Sequence, residues 1–173
     1  MHLSLLPLYT KQHGAVSSEF LTAISVALEK TYLLTTVACK PELYDGVLEG
    51  TPLLEYLSLR EGRVMGIMSA PLRARSPSYS GLRNVCGNAY TPGELREWPR
   101  ASVITMYDFR NLEQESAQRH LSVVAIHELG HNLGAWDCKD RSCYMYEEID
   151  LSGRFLPAKF CMSHRDLLWQ YLR

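Results

Sequence analysis

Residues 127–137 read His-Glu-Leu-Gly-His-Asn-Leu-Gly-Ala-Trp-Asp, and no other stretch restricts the fold as strongly. Two histidines four apart on a helix share one face, one turn above the other, so both imidazoles can reach a single metal ion. Glu128 projects beside them, where a carboxylate can take a proton from a water polarised by the metal. Two ligands from one helix need a third from elsewhere. Gly134, three residues after His131, permits a sharp turn that brings Asp137 back to the metal. Aspartate is a competent zinc ligand through oxygen. With two neutral imidazoles and one carboxylate the site carries about +1 instead of +2, so its water is a weaker acid. Weaker hydrolysis, or a higher pH optimum, is the expectation.

The motif needs a helix, and the flanking residues supply one. Asn111 is placed to cap it, with Gln114 at the box position and Glu113 and Glu115 near the positive end. Leu121, Val124, Ala125 and Leu129 form an apolar stripe, and Gly134 suits the left-handed position that stops a helix. Upstream, strands are expected at 2–9, 32–39, 63–69 and 101–107, with helices after Ser17 or Ser18 and at 53–59. The stretch 71–99 is rich in proline and glycine and reads as loops around one short strand at 84–89. Ser163 is expected to cap a last amphipathic helix. In all, 173 residues with 46% apolar and 21% charged composition fit one domain with a real core, 1–173. A lobe of 1–134 would carry sheet and active-site helix, followed by a small lobe of 135–173.

The second lobe holds its own chelate pattern. Cys138 and Cys143 are separated by four residues, and Cys161 stands three before His164. Two short-spaced pairs suit a closed tetrahedral zinc site that staples a lobe with little core of its own. The residues 1–11 lack a basic lead-in and a cleavage site, so they read as a strand and not an export signal, and the chain as cytoplasmic. Without export, thiols or metal ligands are expected in place of disulfides. Cys39 and Cys86 have no partner at metal spacing and read as small buried hydrophobes. His2, His13 and His120 stand alone and receive no role.

The run 127–164 resembles the archaemetzincins, whose mark is a metzincin motif followed at once by Cys-x4-Cys-x-Met and later by Cys-x-x-Cys. Here these elements are His127, His131, Asp137, Cys138, Cys143, Met145, Cys161 and His164. The chain departs from the pattern at Asp137, where the family has histidine, and at His164, where it has cysteine. The resemblance implies an α+β, metzincin-like (zincin) fold with a mixed twisted sheet, an active-site helix and a zinc-stapled C-terminal lobe. It also implies Met145 as the hydrophobic floor beneath the catalytic metal. The expected function is a zinc-dependent metallopeptidase with two zinc ions. One sits on His127, His131 and Asp137, and the other on Cys138, Cys143, Cys161 and His164. Glu128 is the general base, and the substrate is a peptide or unfolded protein that adds to a sheet edge near 84–89.

Three rivals share the motif. One is a zinc-stabilised peptide- or protein-binding module of the same fold with a feeble or inactive site. Another is a hydrolase whose third ligand is Glu147 or Glu148. The third, a zinc-ribbon nucleic-acid binder, is disfavoured by a net charge of −1 and the lack of a basic tract. No apolar run approaches the ~18 residues of a membrane span. A monomer that binds neither nucleic acid nor membrane is expected.

Overall fold

The first strand shows why a sheet forms at the centre. In β1 (His2–Tyr9), Leu3 and Leu5 are buried on one face while Leu6 and Leu8 are buried on the other. A strand apolar on both faces belongs in the interior of a parallel sheet covered on each side. The computed structural model, which describes residues 1–76, 79–89, 101–148 and 156–172, places it there. It pairs in parallel with β2 (Thr35–Ala38), β3 (Glu42–Leu43) and β4 (Arg63–Met68). β4 pairs in parallel with β8 (Ala101–Thr105), and β7 (Gly87–Ala89) closes the order β2-β1-β4-β8-β7 antiparallel to β8. The sheet is mixed, and β7 is its edge among the described residues.

Helices cover both faces. α1 (Ser18–Thr31) buries Phe20, Ile24 and Leu28 at four-residue spacing, and α3 (Gln114–Asn132) packs beside it in the same core as Leu5, Met65, Ile67 and Ile104. α2 (Gly50–Ser58) buries Leu53, Leu54 and Leu57 against Leu6, Leu8, Val64, Met68 and Val103 on the opposite face. The segment after Gly134 contributes Ala135, Cys143, Met145, Phe160 and Leu168 to the α3 core. It ends in α4 (Met162–Leu168) and a 3-10 turn at Trp169–Tyr171. Leu172 bridges back to Tyr32. The fold is mixed α and β, as expected. Among the described residues no helix is long and apolar enough to cross a membrane.

Several boundaries differ from the sequence reading. The stretch after Pro71 holds a hairpin, β5 (Arg73–Ser76) with β6 (Tyr79–Asn84), besides β7. Residues 77–78 and 90–100 of that stretch lie outside the described residues. Glu113, not Asn111, is the N-cap of α3, because Tyr107–Phe109 form a 3-10 turn that carries the chain two residues further before the helix starts. Cys161, not Ser163, precedes α4, and its carbonyl accepts from Arg165 N–H at 2.9 Å. α3 is buried on nearly every side from Leu121 to Asn132, with Ser122 half-buried, so the stripe read from sequence is only part of its packed surface. Gly134 does end α3 in the left-handed region, at φ 104°.

Candidate metal centres

One helical turn sets His127 above His131, with ring centroids 4.6 Å apart and planes at 85°. Each ring is fixed through Nδ1: that of His127 lies 2.9 Å from the Tyr144 carbonyl, and that of His131 lies 2.8 Å from the Ala135 carbonyl. A carbonyl only accepts, so both Nδ1 atoms carry the proton and both Nε2 atoms present lone pairs. These Nε2 atoms are 2.9 Å apart. Asp137 Oδ1 faces them at 3.6 Å from His127 and 3.5 Å from His131. With both rings neutral, three acceptors thus converge with no donor between them. That arrangement is stabilised by a cation. Ligands about 2.0–2.1 Å from a tetrahedral zinc stand about 3.4 Å from one another, and the observed separations bracket that spacing. Both histidines are buried, whereas the Asp137 side chain is 59% exposed and leaves the centre open on one side.

The two rings are tuned in opposite directions: burial lowers His131, but the Asp137 carboxylate and Glu128 outweigh it and raise that ring, so in the metal-free chain a proton competes for the place of a cation. Burial and the neighbouring His131 hold His127 down to about 4, so its ring is neutral and able to ligate. Burial pushes the Glu128 carboxyl up to about 7. Glu128 rests against the edge strand: a methyl group at Gly87 would lie 2.5 Å from its Oε1. Below the histidines, a methyl at Gly130 would strike Met145 Sδ. Met145 is fully buried, as the resemblance implies.

The second cluster lies directly after the first in sequence. Cys138 Sγ is 3.8 Å from Cys161 Sγ, Cys143 Sγ is 3.7 Å from His164 Nδ1, and Cys161 Sγ is 3.0 Å from the same nitrogen. A sulfur separation of 3.8 Å is far beyond a disulfide and matches the edge of a zinc tetrahedron with about 2.3 Å bonds. His164 Nε2 lies 2.9 Å from the Trp136 carbonyl, which leaves Nδ1 to face the sulfurs. Backbone N–H groups of Cys161 and Asp140 point at Cys143 and Cys138 sulfurs at 3.3 and 3.4 Å. Burial pushes the Cys143 thiol up to about 12, while at Cys161 hydrogen bonds from His164 outweigh desolvation and bring it to about 7. In each group the ligand atoms lie within 4.8 Å of one another.

The structure therefore brings together both sets of residues picked out by spacing, and Glu128 lies beside the first. Glu147 instead pairs with Lys139, and neither it nor Glu148 belongs to the His/Asp group. Cys39 and Cys86 are only half-buried, and Cys86 Sγ faces Asp108 Oδ2 at 3.7 Å. His120 is buried against Phe109, with Nδ1 at the Ser116 carbonyl. Sequence reading missed the orienting carbonyls of Ala135, Trp136 and Tyr144, which as backbone atoms carry no residue signature. Gly130 did carry a signal, since glycine weakens a helix interior and stands there for a reason.

No protein-family model matches the sequence, and no curated protein matches it. Solved structures do. An archaemetzincin from Methanopyrus kandleri superposes with a TM-score of 0.73 at 25% identity, over 98% of this chain and 94% of that one. An archaemetzincin from Archaeoglobus fulgidus, solved with malonate, gives 0.75 at 18% identity over 96% and 99%. A zinc-dependent peptidase from Methanocorpusculum labreanum gives 0.66 at 16% over 96% and 99%. The mixed sheet and the long helix with its paired histidines thus belong to the fold that these solved structures share. Within that group, the chain shares the fold of the two archaemetzincins and carries a cluster of three cysteines and a histidine after its paired histidines.

Proposed function

We propose that the chain is a zinc-dependent peptidase that hydrolyses peptide bonds of a peptide or unfolded-protein substrate, acting as a cytoplasmic monomer. The observation that supports it most is the convergence of three acceptor atoms, from His127, His131 and Asp137, beside the buried Glu128 carboxylate. A zinc ion held by those three residues supplies Lewis acidity toward a water and a substrate carbonyl. Glu128, once ionised, accepts a proton from the attacking water and returns it to the departing amine. Gly87 keeps the edge strand close enough to the carboxylate to exclude bulk water from that side. Cys138, Cys143, Cys161 and His164 would hold a second zinc that closes the following loop.

The substrate path follows from strand alternation. The Cys86 carbonyl accepts from Thr105 N–H at 2.8 Å, so the next peptide groups, at Gly87 and again at Ala89, face the open edge. An extended peptide lying antiparallel there gains main-chain hydrogen bonds. Asp137 supports one second reading, a zinc-stabilised peptide-binding module of low activity, because a carboxylate in place of a third imidazole leaves less positive charge to acidify water.

The test is Glu128→Gln. Cleavage of an unfolded-protein mixture should fall by about 10²- to 10⁴-fold while bound zinc and peptide affinity stay unchanged. Equal cleavage by variant and wild type would remove the enzyme reading. Zinc-dependent peptide binding with no cleavage by either would establish the module.

A further inference from the structure

The two centres share one loop, and the sharing is residue by residue. Asp137, a donor of the first, is bonded directly to Cys138, a donor of the second. Cys143 of the second is followed at once by Tyr144, whose carbonyl fixes His127. The Ala135 carbonyl fixes His131, and the next carbonyl, Trp136, accepts from His164. Cys138 N–H donates to the Met145 carbonyl at 2.6 Å, and the Met145 side chain underlies Gly130. Among the described residues, the two carbonyls that fix the rings of the first centre are thus each next to a ligand or a partner of the second.

The loop is anchored by Ala135, Cys143 and Met145, fully buried in the α3 core, but not by regular secondary structure. Between Leu133 and Cys161 the described backbone forms no helix or strand, only isolated bridges at Cys138–Tyr146 and Cys143–Lys159. Asp137 Oδ1 faces the two rings, and its side chain is half open to solvent, so its position is set by the backbone it hangs from. Three thiols and an imidazole packed within 4.8 Å are joined firmly only around a cation; uncharged, they make weak contacts that a loop can leave.

We propose that Cys138, Cys143, Cys161 and His164 are positioning residues for the first centre: metal in the thiolate site sets the affinity of His127, His131 and Asp137 for theirs. The inference rests on the peptidase reading for its purpose, but its test reads metal affinity and not turnover. Ligand-orienting partners ordinarily change metal affinity by about 10- to 100-fold, and that is the coupling expected here. Linkage requires that the effect run both ways in equal measure.

Cobalt(II) distinguishes the centres, because only the thiolate site gives strong sulfur-to-metal absorption. In the full chain, with free cobalt buffered low enough that the weakened thiolate site of Cys161→Ser is empty and that band is lost, the variant should bind cobalt at the His/Asp centre about 10- to 100-fold more weakly than wild type, by chelator competition. Cys161→His, which keeps four donors, should restore the His/Asp affinity. Wild-type affinity at that centre in Cys161→Ser overturns the proposal.

A second measurement avoids any variant of the cluster. In a Cys39→Ser, Cys86→Ser chain loaded with zinc, an organomercurial that caps the three clustered thiols should release two ions per chain. The free zinc is buffered so that the untreated chain keeps both. Release of one ion overturns the coupling and leaves the peptidase reading standing. That reading fails instead if Glu128→Gln cleaves like wild type.

Discussion

The two centres are adjacent along the chain, yet they differ in enclosure. In the cysteine cluster Cys143 and His164 are buried and Cys138 and Cys161 half-buried, so none of its four donors is on an exposed residue, and four are enough to fill a tetrahedral zinc. The His/Asp centre offers three donors, one of them on a side chain 59% exposed. A filled set with no exposed donor holds structure together; an unfilled one with an exposed donor leaves room for a reactant. The contrast teaches that enclosure and donor count separate the two roles where residue type does not, since histidine serves in both.

The contrast is broken most forcefully by Cys143→Ser. If the closed centre carries folding energy, zinc-loaded Cys143→Ser should lose about 4 kcal/mol or more and respond to chelator far less than wild type does, read by thermal unfolding with and without EDTA. Wild-type stability in that variant would make both centres equally dispensable to the fold.

A smaller effect concerns pH in the metal-free chain. Glu128 holds its proton up to about 7 when folded against a model value of 4.5, so the folded state binds that proton more tightly than the unfolded one. Its contribution is complete below about 4.5 and lost as pH rises through about 7. Relative to Glu128→Gln, wild type should therefore lose roughly 3 kcal/mol across that interval, measured by urea titrations at several pH values. A constant difference between the two would mean that Glu128 is more solvated than its burial indicates.

Gly130→Ala tests the floor of the open centre. The added methyl meets Met145 Sδ, and overpacking of about 1–3 kcal/mol exceeds the roughly 1 kcal/mol that alanine gains in a helix. A net loss of about 1 kcal/mol is expected, and Met145→Ala in the same chain should relieve part of it. A more stable Gly130→Ala would show that Met145 moves aside freely. The smallest change belongs to Asp137→Ala, which should shift metal-free stability by only about 0.5 kcal/mol because the side chain is half open. Its zinc content should fall by one ion. A larger loss of stability would tie Asp137 to the fold and blur the distinction between the centres.

The donors of both centres were legible because chelation is local. Histidines four apart meet on one helix face, and Cys-x4-Cys and Cys-x-x-His each close within a turn or a short loop. β1 was legible for a different reason, since Leu3, Leu5, Leu6 and Leu8 announce burial on both faces. What the residues could not announce depends on partners distant in sequence. The β5–β6 hairpin lies in a stretch whose proline and glycine content reads as loop, because strand pairing outweighs weak propensity. The start of α3 slipped from Asn111 to Glu113 because the preceding turn sets where the helix begins. Cys86 is half-buried and faces Asp108, a contact between residues distant in sequence that no local pattern encodes.

Gly87 carries one more consequence. With no room for a side chain opposite the Glu128 carboxylate, this stretch of β7 offers a visiting chain only amide hydrogens and carbonyl oxygens. Every polypeptide has those groups, so contact here is blind to which residues pass. Any preference among targets would have to be read by side chains elsewhere along the cleft.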